Sequence, residues 1–557
     1  MAYQPRLLVN AVDARAKSVP DSPWLLYARS SLWEQEGGYR TITWKQFANA
    51  VNRTAFWLDD NLPRTKPGRQ TIAYLGPNDA RYYILIVAAA KSERRLFIPD
   101  GRMTAEGLAS ILKEVECCAW ISTQDQFSEV PGHKSLVFPF LEDILAKEPN
   151  SSLPYPYDKT WEQAKDDIVC IIHTSGTTGV PKPIYHRNGF MSVWDSWNNI
   201  FSRHHPRKIT YRHMINARTL TTCAPQWLAG LAFSLNAAVF IGMTTVMLPP
   251  DMNMTSPLDR RAIMNICKHT GAESILTPPS LIEDFYTDEA AFDFLKSQKY
   301  VCWVGAGLDH NVGDALAQHT NLFPVIGSTE RGAALSFESD DTSMWKSYEF
   351  VPEMGHRFEL VADETYELYV DRTSESSLFQ CGFYTFPHLD TINTEELYSP
   401  TIDKNGTKRW ISRGRKDDLI KLSWLAKFHA THIEDAIARH PQVAAVFVGG
   451  EGRDVPYIII EPRDWTRVGH PNMFVDEIYD TVIYGINEKD NDEIRIPREM
   501  VTLSDPDLPF KRTMKMTIMR KEVERMYENH INILYLKSGK KQMNGTAING
   551  HKEGIKV

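Results

Sequence analysis

Strand-like and helix-like segments take turns along the first two thirds of the chain, and this alternation limits the fold more than any other feature. Residues 71–75 read as a strand, 79–91 as a helix and 96–99 as a second strand. The pattern returns at 272–276 (strand), 279–285 (helix), 300–304 (strand), 312–319 (helix) and 323–326 (strand). Strands separated by helices pair largely in parallel and are covered by those helices. The expected class is therefore α/β, with a large N-terminal domain of layered sheets and helices plus a small mobile α+β C-terminal domain. The second part follows from residues 431–440 (helix), 443–448 and 457–461 (strands), 472–487 (a long helix) and 521–535 (a final helix). Before it, residues 398–406 are rich in Ser, Pro, Asp, Asn and Gly and read as turns. The expected division is an N-terminal core over residues 1–413, a C-terminal lid over 414–536 and a flexible tail or linker over 537–557.

Several classes are excluded by composition. Of 557 residues, 43% are apolar and 24% charged, the balance of a globular chain and not of a disordered one. A net charge of −8 argues against nucleic acid and against an anionic membrane surface as partners. Residues 220–250 carry no charge and are longer than the ~20 residues that span a bilayer. Pro225, Gln226, Asn236 and two glycines interrupt them, so a buried strand–helix–strand passage is expected instead of a membrane helix. Seven scattered cysteines without a CxxC pair argue against a disulfide framework or a zinc site. With no secretory-type start, a reducing, cytoplasmic setting is expected.

The strongest chemical signal is Ile171-Ile-His-Thr-Ser-Gly-Thr-Thr-Gly-Val-Pro-Lys182. An apolar strand runs into small hydroxyl and glycine residues and ends on a lysine. Glycines let backbone N–H groups approach anionic oxygens, hydroxyls add donors, and Lys182 adds a mobile positive charge. Such a loop suits a polyphosphate. The GxxxxGK[ST] spacing of P-loop NTPases is absent.

At these residues the chain resembles the adenylate-forming superfamily of acyl-CoA synthetases, luciferases and peptide-synthetase adenylation domains. Thr174–Lys182 is similar to its phosphate loop, and Ile326-Gly-Ser-Thr-Glu330 to its second nucleotide motif. Arg413-Gly-Arg-Lys-Asp-Asp-Leu-Ile-Lys421 resembles its domain hinge, and the stretch from Pro509 to Lys521 its catalytic-lysine loop. The phrasing of 391–400 and 413–423 is most similar to fungal peptide-synthetase-like carboxylate reductases.

This resemblance implies ATP-dependent activation of a carboxylic acid to acyl-AMP, with release of pyrophosphate, then acyl transfer to a pantetheine thiol. It implies ATP and Mg²⁺ as cofactors, with CoA or the phosphopantetheine of a separate carrier protein as acceptor. Thr174, Ser175, Gly176, Thr177, Thr178, Gly179 and Lys182 would hold the β- and γ-phosphates, with Ser328 beside them in the second motif. Thr329 would touch the α-phosphate, Glu330 would bind Mg²⁺, and Lys515 would bridge carboxylate and α-phosphate as the two anions meet. Glu396 stands where the family has a ribose-binding aspartate, Arg415 is the second ribose or phosphate contact, and Asp417 is the hinge. Leu425 and Met516 stand where relatives have glycine, which narrows the approach of a thiol arm. These departures leave a second reading, a nucleotide-binding regulatory pseudoenzyme.

Relatives that take amino acids carry an aspartate for the ammonium group; Leu228, in Pro225-Gln-Trp-Leu-Ala-Gly230, lies near that position. A buried ammonium facing leucine would be unpaired, so an acid without an α-amino group is expected, aryl first and aliphatic second. Trp227 is either a wall of the pocket or core packing, and Gly305, Ala306 and Gly307 would leave room beside it. His173 and His186 flank the phosphate loop. His173 either steadies a substrate oxygen or is a structural histidine, and neither needs to act as a base because the attacking carboxylate is already ionised.

Overall fold

The computed structural model describes residues 4–63, 70–145, 153–174, 181–252, 258–305, 307–362, 364–416, 419–423, 427–489, 494–512 and 518–538. The described chain divides into two compact units. The first comprises residues 1–358, 369–394 and 400–411, and the second residues 359–368, 395–399 and 412–557.

Two sheets organise the first unit. In one, strand order is Asn321–Val325, Tyr300–Val304, Ser274–Thr277, Arg218–Thr221, Thr244–Met247, Pro23–Tyr27, Arg40–Thr43. All its neighbours pair in parallel except the last two. The other runs Lys134–Phe138, Cys117–Thr123, Thr71–Tyr74, Arg95–Phe97, Ile168–Thr174, Lys182–Arg187, again parallel except for its final pair. Inner strands such as Thr71–Tyr74 and Ser274–Thr277 are buried at every position because side chains on both faces are covered.

Helix Arg81–Lys91 is buried on every side, from Tyr82 through Ala90, within the largest apolar cluster. Its two charged ends are neutralised locally. Arg81 meets the Asp79 carboxylate at 2.7 Å and Asp125 at 3.0 Å, and Lys91 meets Asp13 at 2.9 Å. Burial of unpaired charge at these points would cost several kcal/mol, so the pairs are a condition of placing this helix in the interior.

The uncharged passage 220–250 folds as expected. Strand Arg218–Thr221 leads to helical turns from Leu228 to Ile241, and strand Thr244–Met247 returns beside the first. The reversal turns on Gly242, at φ +81°. No helix among the described residues is long and apolar enough to cross a membrane.

In a third sheet the order is Ser336–Phe337, Ser347–Phe350, Lys408–Arg415, Thr391–Ile402, Thr365–Asp371, His356–Ala362. It corrects the turn-rich reading of 398–406: residues up to Ile402 belong to one long strand, and only the tip turns. There the Asp403 carboxylate accepts from the backbone N–H groups of Asn405 and Thr407, both at 2.9 Å, and Gly406 takes φ +80°. Cross-strand pairing outweighs the weak strand propensity of Ser399 and Pro400.

The second unit contains a sheet of Val443–Gly449, Tyr457–Pro462 and Val501–Leu503. Alternation explains its two cores. Ile458 and Ile460 enter a cluster with Ile433, Phe474 and Ile478, while Tyr457 and Ile459 point the other way, to Phe510, Tyr527 and Ile531. The expected final helix is two, Arg520–Met526 and Glu528–Lys537. They part at Tyr527, whose hydroxyl is engaged by the Leu508 carbonyl and the Asp505 N–H. Of the expected tail, Lys537 closes that helix, and residues 539–557 lie outside the described residues.

Candidate active site

The glycine–hydroxyl loop starts where a buried strand ends. Strand Ile168–Thr174 is buried from Val169 to Ile172 and pairs antiparallel with Lys182–Arg187. Thr174 and Lys182 are cross-strand partners, so the first hydroxyl and the lysine of the motif face each other at the mouth of a hairpin. Lys182 is exposed and Thr174 half-buried. Ser175, Gly176, Thr177, Thr178 and Gly179 lie outside the described residues.

The second motif leaves strand Asn321–Val325 and folds on itself. Gly327–Ser328 pairs antiparallel with Gly332–Ala333, so Thr329 and Glu330 sit in the tight turn between them. Gly327 admits no side chain, since a Cβ there would stand 2.1 Å from the Gly332 carbonyl oxygen. The carbonyl and the hydroxyl of Ser328 each accept from Arg331 N–H at 3.3 Å.

His186 ties the two motifs together across 143 residues of sequence. Its Nε2–H donates to the Thr329 carbonyl at 2.8 Å, and its ring stacks on Phe190 at 3.9 Å. A carbonyl only accepts, so the proton is on Nε2. Burial pushes the pKa of His186 down to about 4, and that of His356 down to about 3. The unfolded chain therefore takes up protons from pH ~6.5 downward that the folded chain refuses, and stability falls with falling pH. For His186 alone the loss by pH 4 is on the order of 3 kcal/mol. Melting temperature is expected to drop steadily between pH 6.5 and 4; a flat profile would contradict this.

A third segment, Pro225–Gly230, follows strand Arg218–Thr221. Trp227 and Leu228 are half-buried and rest on the large apolar cluster. The Gln226 amide donates to Asn78 Oδ1 and to the Tyr82 hydroxyl, both at 2.8 Å, which joins this segment to the turn after strand Thr71–Tyr74. Gly230 allows the segment to fold back, for a Cβ would lie 2.0 Å from the Ala224 carbonyl oxygen. Gly305 adopts φ +107° after strand Tyr300–Val304, and a Cβ on Gly307 would meet nothing within 4 Å; Ala306 lies outside the described residues. Residues 222–228, Gly305 and 326–330 thus all issue from carboxyl ends of strands in one parallel array. That is the edge at which open α/β sheets bind ligands.

Within the second unit, the charged run at 413–416 is matched cation by cation. Arg413 donates to the Ser399 hydroxyl at 3.0 Å, and Arg415 pairs with Glu395 at 2.9 Å. Lys416 donates to both oxygens of Glu367, at 3.1 and 3.0 Å. Glu396 accepts from the Tyr398 hydroxyl at 3.1 Å, and its neighbour Glu395 holds φ +57°, unusual for a residue in a strand. Asp417, Leu425, Lys515 and Met516 lie outside the described residues. Sequence reasoning did not single out Asn78, Tyr82 or Asp100, because the meeting of the two sheets brings Asn78 and Tyr82 to Gln226 and the pairing of neighbouring strands brings Asp100 to His173.

Comparison with known proteins adds the family. The pattern of the "AMP-binding enzyme" family matches residues 12–366, and that of the "AMP-binding enzyme C-terminal domain" matches residues 417–539. The chain belongs to the AMP-binding enzyme family. Among the relatives of this AMP-binding enzyme is a carboxylic acid reductase of Neurospora crassa, 29% identical, covering 96% of this chain and 51% of the relative. Another is the isocyanide synthase–NRPS hybrid crmA of Aspergillus fumigatus, 26% identical, over 96% of this chain and 34% of the relative. The chain spans about half the length of the first and a third of the second. O-succinylbenzoate coenzyme A synthetase (MenE) of Bacillus subtilis, solved in complex with AMP, superposes with a TM-score of 0.67 at 16% identity, covering 94% of this chain and 98% of that one. This likeness establishes the expected α/β class, with a large N-terminal and a smaller C-terminal domain.

Proposed function

We propose that this AMP-binding enzyme activates a carboxylic acid as its acyl-adenylate. A carboxylate oxygen attacks the α-phosphorus of ATP, the bond to the bridging oxygen breaks, and pyrophosphate leaves. The observation that carries this reading is the His186–Thr329 hydrogen bond, which holds the hairpin of the glycine–hydroxyl loop against the turn bearing Thr329 and Glu330. An anion must approach an anion here, so fixed donors and cations aimed at the phosphates are the main catalytic means. Thr174, Ser175, Gly176, Thr177, Thr178, Gly179 and Lys182 bind the β- and γ-phosphates, Ser328 and Thr329 lie toward the α-phosphate, and Lys515 escorts the carboxylate. The half-buried carboxylate of Glu330 has the oxygen chemistry that suits Mg²⁺, which when bound offsets phosphate charge. Glu396 and Arg415 serve the ribose.

The acid lacks an α-amino group and is an aryl acid in the first instance. Residues 222–229 hold no carboxylate for an ammonium, Leu228 and Trp227 supply an apolar wall, and Gly307 adds no side chain beside it, a Cβ there meeting nothing within 4 Å. The acyl group then passes to a pantetheine thiol, on CoA or on a carrier protein. Residues 414–536 act as a lid that turns about Asp417 between the two half-reactions on a core formed by residues 1–413. A likeness to a protein named as a carboxylic acid reductase fits a role in the acid-activating portion of such a system.

The test is acid-dependent exchange of labelled pyrophosphate into ATP over a panel of aryl, α-keto and aliphatic acids. Exchange is expected with at least one aryl acid and Mg²⁺. ATP binding without exchange for any acid would favour the regulatory pseudoenzyme instead.

A further inference from the structure

We propose that His173 is a binding residue of this site, its Nδ1–H held ready for an anionic oxygen of the reactants; the proposal rests on the adenylation reading above. Nε2 of His173 lies 3.1 Å from the backbone N–H of Asp100. An amide N–H only donates, so Nε2 accepts, and the proton of the neutral ring is on Nδ1. Burial favours that neutral form by lowering the pKa of the ring. Nδ1 itself is buried and has no hydrogen-bond partner among the described residues. Buried donors in native chains are nearly always satisfied, and one left open marks a place where something else accepts.

The ring is also held in place. Asp100 is fastened by Arg102, with Nε at 3.0 Å from Oδ1 and a terminal guanidinium nitrogen at 3.1 Å from Oδ2, which offsets the carboxylate charge near the ring. Phe97 presents its ring edgewise at 6.4 Å. Across the hairpin the partner of His173 is Pro183, which offers no polar side-chain atom. The next residue, Thr174, opens the glycine–hydroxyl loop. A phosphate oxygen of ATP and a carboxylate oxygen of the acid share the required chemistry, and kinetics tell them apart.

The decisive pair of variants is His173→Gln and His173→Asn in the full chain. In the Gln variant the amide oxygen reaches the place of Nε2 and keeps the Asp100 contact, but no donor remains at Nδ1. The Asn variant restores a donor near Nδ1 and gives up the Asp100 contact. We expect His173→Gln to melt near the wild-type temperature with kcat/KM for pyrophosphate exchange lowered roughly 10- to 100-fold, the value of a hydrogen bond to a charged group. His173→Asn is expected to recover at least tenfold of that loss. A raised KM for ATP assigns the acceptor to phosphate, and a raised KM for the acid assigns it to carboxylate. Wild-type kinetics in the Gln variant would overturn the proposal, as would an Asn variant that is well folded yet no better than Gln. Failure of the adenylation reading looks different: the wild-type protein itself would exchange nothing with any acid, and the proposal would fall with it.

Discussion

Lys515→Ala should lower acid-dependent pyrophosphate exchange about 10²- to 10³-fold while leaving ATP affinity within a few-fold of wild type. The asymmetry follows from which charges meet. In the proposed reaction the triphosphate tail belongs to the loop that Thr174 and Lys182 bracket, and that hairpin is part of the first unit. Lys515 is assigned to the moment when carboxylate and α-phosphate approach, and a positive charge needed only then changes the rate and not ground-state binding. Calorimetry of ATP binding alongside the exchange assay separates the two effects. Exchange at the wild-type rate would remove Lys515 from the mechanism, and equal loss of binding and rate would make it a simple phosphate ligand.

The largest effect on stability is expected at Asp79. Its carboxylate accepts from the Arg81 backbone N–H at 2.9 Å and from the Arg81 guanidinium at 2.7 Å, and both side chains are buried. Asp79→Ala leaves a guanidinium at the head of a fully buried helix with only the more exposed Asp125 to answer it. The expected cost is about 3–5 kcal/mol, read from denaturant unfolding. Asp125→Ala should cost no more than about 1 kcal/mol, because that partner is already solvated. Equal effects of the two substitutions would mean that Asp79 is not the principal counter-charge. Loss at Asp79 should reach the site as well, since the adjoining Asn78 accepts from Gln226 beside Trp227.

Much of the architecture could be read from local pattern. Strands at Thr71–Tyr74, Tyr300–Val304 and Tyr457–Pro462 are apolar runs bounded by turn residues, and such runs report burial directly. Errors arose where pairing partners decide. Ser399 and Pro400 look like turn residues, yet they extend because neighbouring strands bind them. Tyr527 looks like one more residue of a helix, yet its hydroxyl's contacts with Asp505 and Leu508 coincide with the break. The charged run at 413–416 resembles a solvated linker until Glu367, Glu395 and Ser399 are seen beside it.

By itself, the sequence determined the layered α/β class and the loop chemistry suited to phosphate, because periodicity and residue type are local properties that survive without knowledge of neighbours. Only the tertiary structure decided which nitrogen of His173 and of His186 bears the proton and which motif each histidine serves. A tautomer is set by its hydrogen-bond partner: the pairing of neighbouring strands within one sheet brings Asp100 to His173, and the meeting of two sheets brings Thr329 to His186.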